Sequence, residues 1–479
     1  MTFLISLDDS RRFAQLSGDF NPLHLSPIAA RRSPFGACVV HGVHASIKAL
    51  LVCLDQHVVS GCLSQLEVWF REPIRHATSI QVHITQLDGA SYRIELRDNG
   101  TTFQVIAATF TTKTGDPPVS LPSSPFAGCE ATNLSLQQSA KSMGSTPLVF
   151  NRDLANEIFG TSAMALPPLQ AAQLMAISRI VGMECPGLNS TLTHLKAVFS
   201  NIQLGADSEP VARYQAKLVS SMVAKLRLDV QSTGLSAKVE SLYRPPPISQ
   251  PSIIEIAKQV SKNEFSNEKC LVVGGSRGLG EVAAKILSAG GASIGLTYFA
   301  GRDDAECVRE EIRKAGYAAH CTHWNVLAPP KQCPETPAGW QPDSIYYFAT
   351  PHIGLTNTSE WNEDRFSEFC RYYVTGLVRS VKAARDAYSN KGAEIQVFYP
   401  STVLLNTPGL LAAEYSAAKA ASESTCAYLN AIPGVTCFLV RLPRILTDQT
   451  NSFVAAPTEN ATSELLAAFR KMHRSETKY

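Results

Sequence analysis

The sequence predicts a multi-domain chain: two α+β units in succession, then an α/β unit with a doubly wound parallel sheet. Three observations carry that expectation. Two proline-rich breaks, "KTGDPPVSLPSSP" (113–125) and "YRPPPISQPS" (243–252), have the composition of exposed linkers and divide 479 residues into three stretches. One long helix followed by several strands is predicted twice before the second break. After it, "KCLVVGGSRGLGEVAAKILSAGGASIGLTY" reads as strand, glycine turn, helix and strand. The expected units are 1–115, 130–245 and 253–479.

The length is ample for two or three globular domains, with 45% hydrophobic and 18% charged residues. The net charge of +2 comes from 43 basic and 41 acidic residues without long blocks of one sign, so neither nucleic acid nor a membrane surface is an expected partner. Twelve cysteines are scattered from Cys38 to Cys437 with no C-x-x-C pair and no secretory leader, which predicts reduced thiols and a cytoplasmic protein. No apolar run reaches the roughly 18 residues of a membrane helix, and the ending "TKY" is not a peroxisomal address.

In the first unit Val43, Ile47, Leu50, Leu51 and Leu54 recur at helical spacing. "QLEVWF" then alternates Leu66, Val68 and Phe70 on one strand face. The second unit repeats the order. Leu169, Ala172, Ala176, Ile177 and Ile180 give the helix, and "HLKAVFSNIQLG" places Leu195, Ala197 and Phe199 on one face, with "ARYQAKLVSS" among the strands that follow.

"LSGDFNPLHLS" (16–26) sets Asp19 and His24 five positions apart around Pro22. Proline fixes its own φ and biases Asn21 away from helix, so Gly18 to His24 should bend and turn both side chains toward one point. An aspartate near ~3.9 and a histidine near ~6.5 are ionised and largely neutral at neutral pH, as two water-activating bases must be. Gly42, after "VVH", opens the predicted long helix, whose unpaired N–H groups suit a thioester enolate oxygen. The string "FAQLSGDFNPLHLSPIAA", with "FGACVVHG" behind it, resembles the MaoC-like (R)-specific enoyl-CoA hydratases and dehydratases, enzymes of the hot-dog fold. The resemblance implies that Asp19 and His24 are the catalytic pair, that Asn21 organises the loop and that the Gly42 N–H meets the thioester carbonyl.

The second unit has no such bend. His194, the one histidine between the two breaks, lies on a predicted strand and reads as structural. A double hot dog with one active and one degenerate half is similar to eukaryotic enzymes of this family. No metal-ligand set is expected in the chain.

In the third unit the loop Gly274, Ser276, Arg277, Gly278, Leu279, Gly280 has the G-x-x-x-G-x-G form of a dinucleotide turn, in which absent side chains let the backbone approach a pyrophosphate at a helix N-terminus. "EYSAAKAASES" sets Tyr415 and Lys419 four apart on one helix face. A phenol beside an ammonium is expected to have a lowered pKa and to donate a proton to a ketone. About 140 residues separate it from the glycine loop, and "RLPRILT" follows. Together these resemble the Rossmann-like short-chain dehydrogenase/reductase family. The resemblance implies that Lys419 holds the nicotinamide ribose and that Ser401 orients the carbonyl, with Thr402 as the alternative. Two departures stand out: "FATP" (Phe348 to Pro351) where the family carries N-N-A-G, and Tyr373 near the place of its relay asparagine. No acid ends "GLTYFAG", whereas Arg277 and Arg302 suit a 2′-phosphate, so NADP(H) is the expected cofactor.

Jointly the units suggest a bifunctional acyl-thioester enzyme. It would reduce a 3-oxoacyl thioester with NADPH and dehydrate the (R)-3-hydroxyacyl product, on coenzyme A or an acyl carrier protein, as a homo-oligomer. The degradative direction, or a dehydratase with a dinucleotide-binding scaffold, are the alternatives.

Overall fold

The computed structural model describes residues 1–57, 61–112, 121–200, 210–328, 334–354, 361–388, 394–407, 409, 412–451 and 456–474. Most of the first proline-rich break (113–120), the end of the predicted "HLKAVFSNIQLG" strand (201–205) and the ending "TKY" lie outside the described residues. The chain forms two compact units, Met1–Pro246 and Pro247–Tyr479.

The first unit has ten strands: β1 (Thr2–Phe3), β2 (Gly61–Phe70), β3 (Ile80–Asp88), β4 (Ser91–Asp98), β5 (Thr101–Thr112), β6 (Met143–Pro147), β7 (Ser190–Phe199), β8 (Val211–Ser220), β9 (Lys225–Ser232) and β10 (Leu235–Tyr243). They form one sheet in the order β1-β3-β4-β5-β2-β7-β10-β9-β8-β6. Read outward from the centre, β2-β5-β4-β3-β1 and β7-β10-β9-β8-β6 are the same arrangement, so the helix-then-strands repeat of the sequence is a repeat of topology. The halves join where β2 and β7 pair antiparallel, Leu66 opposite Ala197 and Val68 opposite Leu195. The two α+β stretches expected as separate units are therefore halves of one, because each sheet would otherwise leave an open edge at its centre. His194 lies opposite Trp69 at this seam and pairs with Glu67 at 3.0 Å, a cross-strand role.

Leu66 and Val68 on β2, and Leu195, Ala197 and Phe199 on β7, face one hydrophobic core that also holds Leu50, Leu54, Ala176 and Ile177 from the long helices Gly42–His57 and Pro168–Arg179. On β2 the register shifts between Leu63 and Gln65, which lets Leu63 and Leu66, three apart, both face inward. The Pro168–Arg179 helix continues into a wider π-type turn, Ile180–Glu184. That turn lies beside the Asp19 loop, as described below.

The second unit is a parallel sheet of β11 (Lys269–Val273), β12 (Ser293–Tyr298), β13 (Ala319–His323), β14 (Ser344–Tyr347), β15 (Ile395–Thr402) and β16 (Val435–Leu442), in the order β13-β12-β11-β14-β15-β16. Cys270 and Val272 enter the core on one face, Leu271 and Val273 that on the other, which is why β11 reads as a continuous apolar run. The order reverses between β11 and β14, the point at which doubly wound sheets open a crevice. Among the described residues no helix is long and apolar enough to cross a membrane.

Candidate active sites

The Leu7–Ser17 helix starts at a capping box between Ser6 and Asp9 and stops at Gly18, whose φ of 79° is the left-handed end glycine permits. A Cβ there would also lie 2.6 Å from Arg179 Cδ. Asn21 then caps a single helical turn, Pro22–Leu25, with Pro22 in its first turn, and His24 sits on that turn. The bend expected between Gly18 and His24 is thus a helix stop and a restart.

Asp19 is 2% exposed. Ser178 Oγ donates to its Oδ2 at 2.7 Å and the Asn21 N–H to its Oδ1 at 3.3 Å. Burial raises its pKa above the usual carboxylate value, and His24 and the Ser178 bond pull the other way. His24 Nδ1 lies 2.8 Å from the Val39 carbonyl, which can only accept, so Nδ1 carries the proton and Nε2 keeps its lone pair. Although part of His24 reaches the surface, burial of its ring lowers its pKa and favours the neutral imidazole, while Asp19 opposes this. A carboxylate and an imidazole lone pair converge without being consumed by each other.

Asn21 does more than shape its own loop. Its Nδ2 donates to the carbonyls of Gly182 (2.8 Å) and Gly187 (3.1 Å), tying the Asp19 loop to the second half. A Cβ at Gly182 would come 2.2 Å from Asp19 Oδ1, so only glycine leaves room for the carboxylate. Gly42 begins its helix with the Phe70 ring 2.7 Å from where a Cβ would stand, and the first N–H groups of any helix lack intrahelical partners.

Sequence reasoning missed five side chains. Ser178 and Arg179 come from the second half; Arg179 donates to Thr146 Oγ1 (2.7 Å) and the Ser17 carbonyl (3.1 Å). Arg244, 6% exposed, donates to the Leu188 carbonyl at 2.6 Å, while its Nη1 has no partner among the described residues. His41 stacks on His24 with ring centroids 3.9 Å apart and meets the Asp19 carbonyl through Nε2 at 2.9 Å. His44 stacks on Phe13, and burial pushes its pKa down to about 3. The "VVHGVH" string held a signal for the two histidines; nothing in the sequence pointed to the other three, which depend on how the halves pack.

In the second unit the turn after β11 leads into the Gly278–Ala289 helix. Gly274 has φ 80° and a Cβ there would meet the Ala349 backbone at 2.9 Å; at Gly280 it would meet the Gly274 carbonyl at 2.2 Å. The "FATP" stretch therefore packs directly on the glycine loop, with the Phe348 N–H donating to the Val273 carbonyl. Ser276 and Leu279 remain partly exposed on this turn. Arg277 faces Asp448 at 3.6 Å, and Gln449 bonds the Ile353 N–H and the Pro351 carbonyl, so the segment after β16 reaches both sides of the crevice. Arg302 is exposed at the start of its helix, just past the end of β12.

The Ala413–Asn430 helix carries Tyr415 and Lys419. Two expectations need correction here. Ser401 Oγ donates to Glu423 Oε1, which Arg441 also holds, whereas the side chain hydrogen-bonded to Tyr415 is Thr402. Successive residues of β15 point to opposite faces, so the two hydroxyls were never interchangeable. Nor is the Tyr415 phenol made more acidic: burial pushes it up to about 12, while burial brings Lys419 down to about 7. Lys419 Nζ donates to the Pro400 carbonyl (2.7 Å) and Tyr399 Oη (3.2 Å) and lies over the rings of Tyr373 (4.2 Å), Tyr399 (4.6 Å) and Tyr415 (5.9 Å). Tyr373 in turn shares a 2.6 Å bond with Thr350 of "FATP", so the two departures from the family pattern touch each other.

Residues 2–109 match the model of the MaoC like domain, and the chain carries such a domain at its N-terminus. A 3-hydroxybutyryl-CoA dehydratase of Methylorubrum extorquens is 35% identical over 82 residues, 17% of this chain and 52% of the relative. The chain thus spans about half the length of the curated relative it matches. Among solved structures, a short chain dehydrogenase from Burkholderia cenocepacia in complex with NADP is 20% identical, covering 44% of this chain and 91% of that one with a TM-score of 0.37. An angucycline C-6 ketoreductase with bound NADP is also 20% identical, covering 38% and 74%, with a TM-score of 0.33.

Proposed function

We propose that the chain is a bifunctional acyl-thioester enzyme. A double hot dog, catalytic over 1–115 and degenerate over 130–245, interconverts trans-2-enoyl and (R)-3-hydroxyacyl thioesters. A short-chain dehydrogenase/reductase domain over 253–479 reduces the 3-oxoacyl thioester with NADPH. The observation that carries the reading is the convergence of the buried Asp19 carboxylate and the His24 imidazole, whose Nδ1 is turned to the Val39 carbonyl, close to the histidine that precedes the Gly42 helix. In hydration, a water between the pair gives one of them a proton as its oxygen bonds to C3, the thioester oxygen takes the enolate charge at the Gly42 N–H, and the pair returns a proton to C2. No proton is gained or lost overall. Ser178 and Asn21 oppose the effect of burial on the carboxylate and aim it.

For the reductase, the glycine loop supplies N–H groups to a pyrophosphate, the exposed Arg302 is a cation that can meet a 2′-phosphate, and Arg277 must leave Asp448 to join it. When bound, NADPH supplies the hydride. Tyr415 donates the proton, and Thr402 takes the role expected of Ser401. A second reading, a dinucleotide-binding scaffold without turnover, is favoured by Lys419, whose ammonium is already engaged by two acceptors and three rings. Purified chain, acetoacetyl thioester and NADPH separate them. Cofactor oxidation with formation of 3-hydroxybutyryl thioester supports the reductase; cofactor binding without oxidation supports the scaffold.

A further inference from the structure

The acid-base cluster contains one more ligand than hydration requires. Asp19, His24 and His41 each offer a donor atom, and the three atoms lie within 4.8 Å of one another. His24 and His41 stack with ring centroids 3.9 Å apart, so a shared ion requires one ring to turn out of that stack. His24 turns Nδ1–H to the Val39 carbonyl and frees Nε2. His41 meets the Asp19 carbonyl through Nε2, which must carry the proton, and its Nδ1 is buried with no hydrogen-bond partner among the described residues. Asp19 Oδ2 accepts from Ser178, while Oδ1 has only the long Asn21 bond. Metal-binding imidazoles and carboxylates are oriented by such outer contacts, to carbonyls and hydroxyls. A buried polar atom without a partner bears the full cost of its lost water unless something satisfies it, and His41 Nδ1 is such an atom among the described residues.

We propose that Asp19, His24 and His41 form a site for one divalent zinc-class cation, and that the cation competes with the acyl thioester. Two imidazoles and one carboxylate are the donor set of open zinc sites, with a fourth position left for water. Ligand atoms about 2.0–2.1 Å from a tetrahedral ion stand about 3.3 Å apart, so the cluster must contract by roughly 1.5 Å at its widest, within the reach of side-chain rotation. The set suits zinc or cobalt better than magnesium or calcium, which favour all-oxygen shells. A cation here occupies the lone pairs that would take the water's proton and stands where that water stands. The result is reversible inhibition, with no electron transferred and no covalent bond made. That consequence rests on the hydratase reading; the binding itself does not.

The test uses the full chain, stripped with a chelator and titrated with Co²⁺ as a visible probe and with Zn²⁺ by calorimetry. One equivalent should bind with the intense d–d absorption of a low-coordinate nitrogen and oxygen site. Crotonyl thioester should displace it, and Zn²⁺ should inhibit hydration competitively. His41→Phe should weaken binding by at least about 100-fold, and Ser178→Ala by about 10-fold as an outer contact. His41→Gln, which keeps a polar side chain, should also fail to restore the spectrum, with circular dichroism confirming that each variant is folded. Absence of saturable binding, or binding unchanged in both His41 variants, overturns the proposal. So does a spectrum dominated by thiolate charge transfer, which would place the ion on an exposed cysteine such as Cys129 or Cys307. If the metal binds as expected and chelator-treated protein hydrates no enoyl thioester, the hydratase reading fails and the metal site stands.

Discussion

The two candidate sites differ in what their polar atoms are doing. Around Asp19 and His24, Ser178 and the Asn21 N–H donate to the carboxylate and His24 Nδ1–H donates to the Val39 carbonyl, which orients both groups and leaves the other ring nitrogen its lone pair. Around Tyr415 and Lys419 the protein supplies the partners itself: Thr402 for the phenol, and Pro400, Tyr399 and three aromatic rings for the ammonium. The first arrangement is preorganised for a reactant, since its orienting contacts are not the ones chemistry must break. The second must give up at least part of an existing network before Lys419 can hold a ribose. A motif at the right spacing shows where a site is; the free valence of its atoms shows whether it is ready.

The largest effect that would break this comparison is loss of the first site. Asp19→Asn or His24→Ala should cut hydration of crotonyl thioester by at least about 10²-fold in chelator-treated protein, measured as loss of enoyl absorbance. Both variants near wild-type would remove the pair from the mechanism. In the second site, Tyr415→Phe should abolish 3-oxoacyl reduction. Thr402→Ala should slow it by about 10-fold or more, and Ser401→Ala should leave it within about threefold, because Ser401 serves Glu423. The reverse order in steady-state kinetics would restore Ser401.

Ser178→Ala sharpens the role of the second half of the first unit. Its hydroxyl lowers the Asp19 pKa against the larger effect of burial, so removing it should move the acid limb of kcat/KM for hydration to higher pH. Activity should fall by about 10-fold at low pH and by less at high pH. An unchanged acid limb would reduce Ser178 to packing.

The smallest effect is on stability. His24, His41 and His44 all have pKa values lowered by burial, His44 to about 3. A depressed folded-state pKa means the unfolded chain binds protons that the folded chain does not. The stability these groups contribute is therefore present above about pH 6.5 and lost as pH falls toward their folded values, at up to about 1.4 kcal/mol per pH unit for each histidine. Asp19, with a raised pKa, opposes them with a single proton. The melting temperature of the first unit should fall between pH 7 and 5, and His44→Phe should flatten that fall; an equal slope in wild type and variant would contradict it.

The sequence made the local parts of this account legible. Asp19, His24 and Asn21 lie within six residues, and a glycine turn between two strands is a local signal, so both stood out without a fold. The resemblance implied that the two α+β stretches belong together, but the strands that join them into one sheet were not legible, since that depends on β2 and β7 choosing each other over solvent. Nor was Ser178, 159 positions from Asp19, or Arg244 Nη1, which has no partner among the described residues. The expected acidity of Tyr415 failed for a related reason. Spacing places Lys419 on the same helix face, but only packing reveals that its charge is drawn to Pro400 and Tyr399 and that burial governs the phenol.

The most direct test is the product mass from a 3-oxoacyl thioester and NADPH, compared between wild-type protein and Asp19→Asn under chelator. The account predicts 3-hydroxyacyl and enoyl thioester from the wild type, and 3-hydroxyacyl thioester alone from the variant. Enoyl product from Asp19→Asn at the wild-type rate, or no NADPH consumed by either protein across acyl chain lengths, would contradict it.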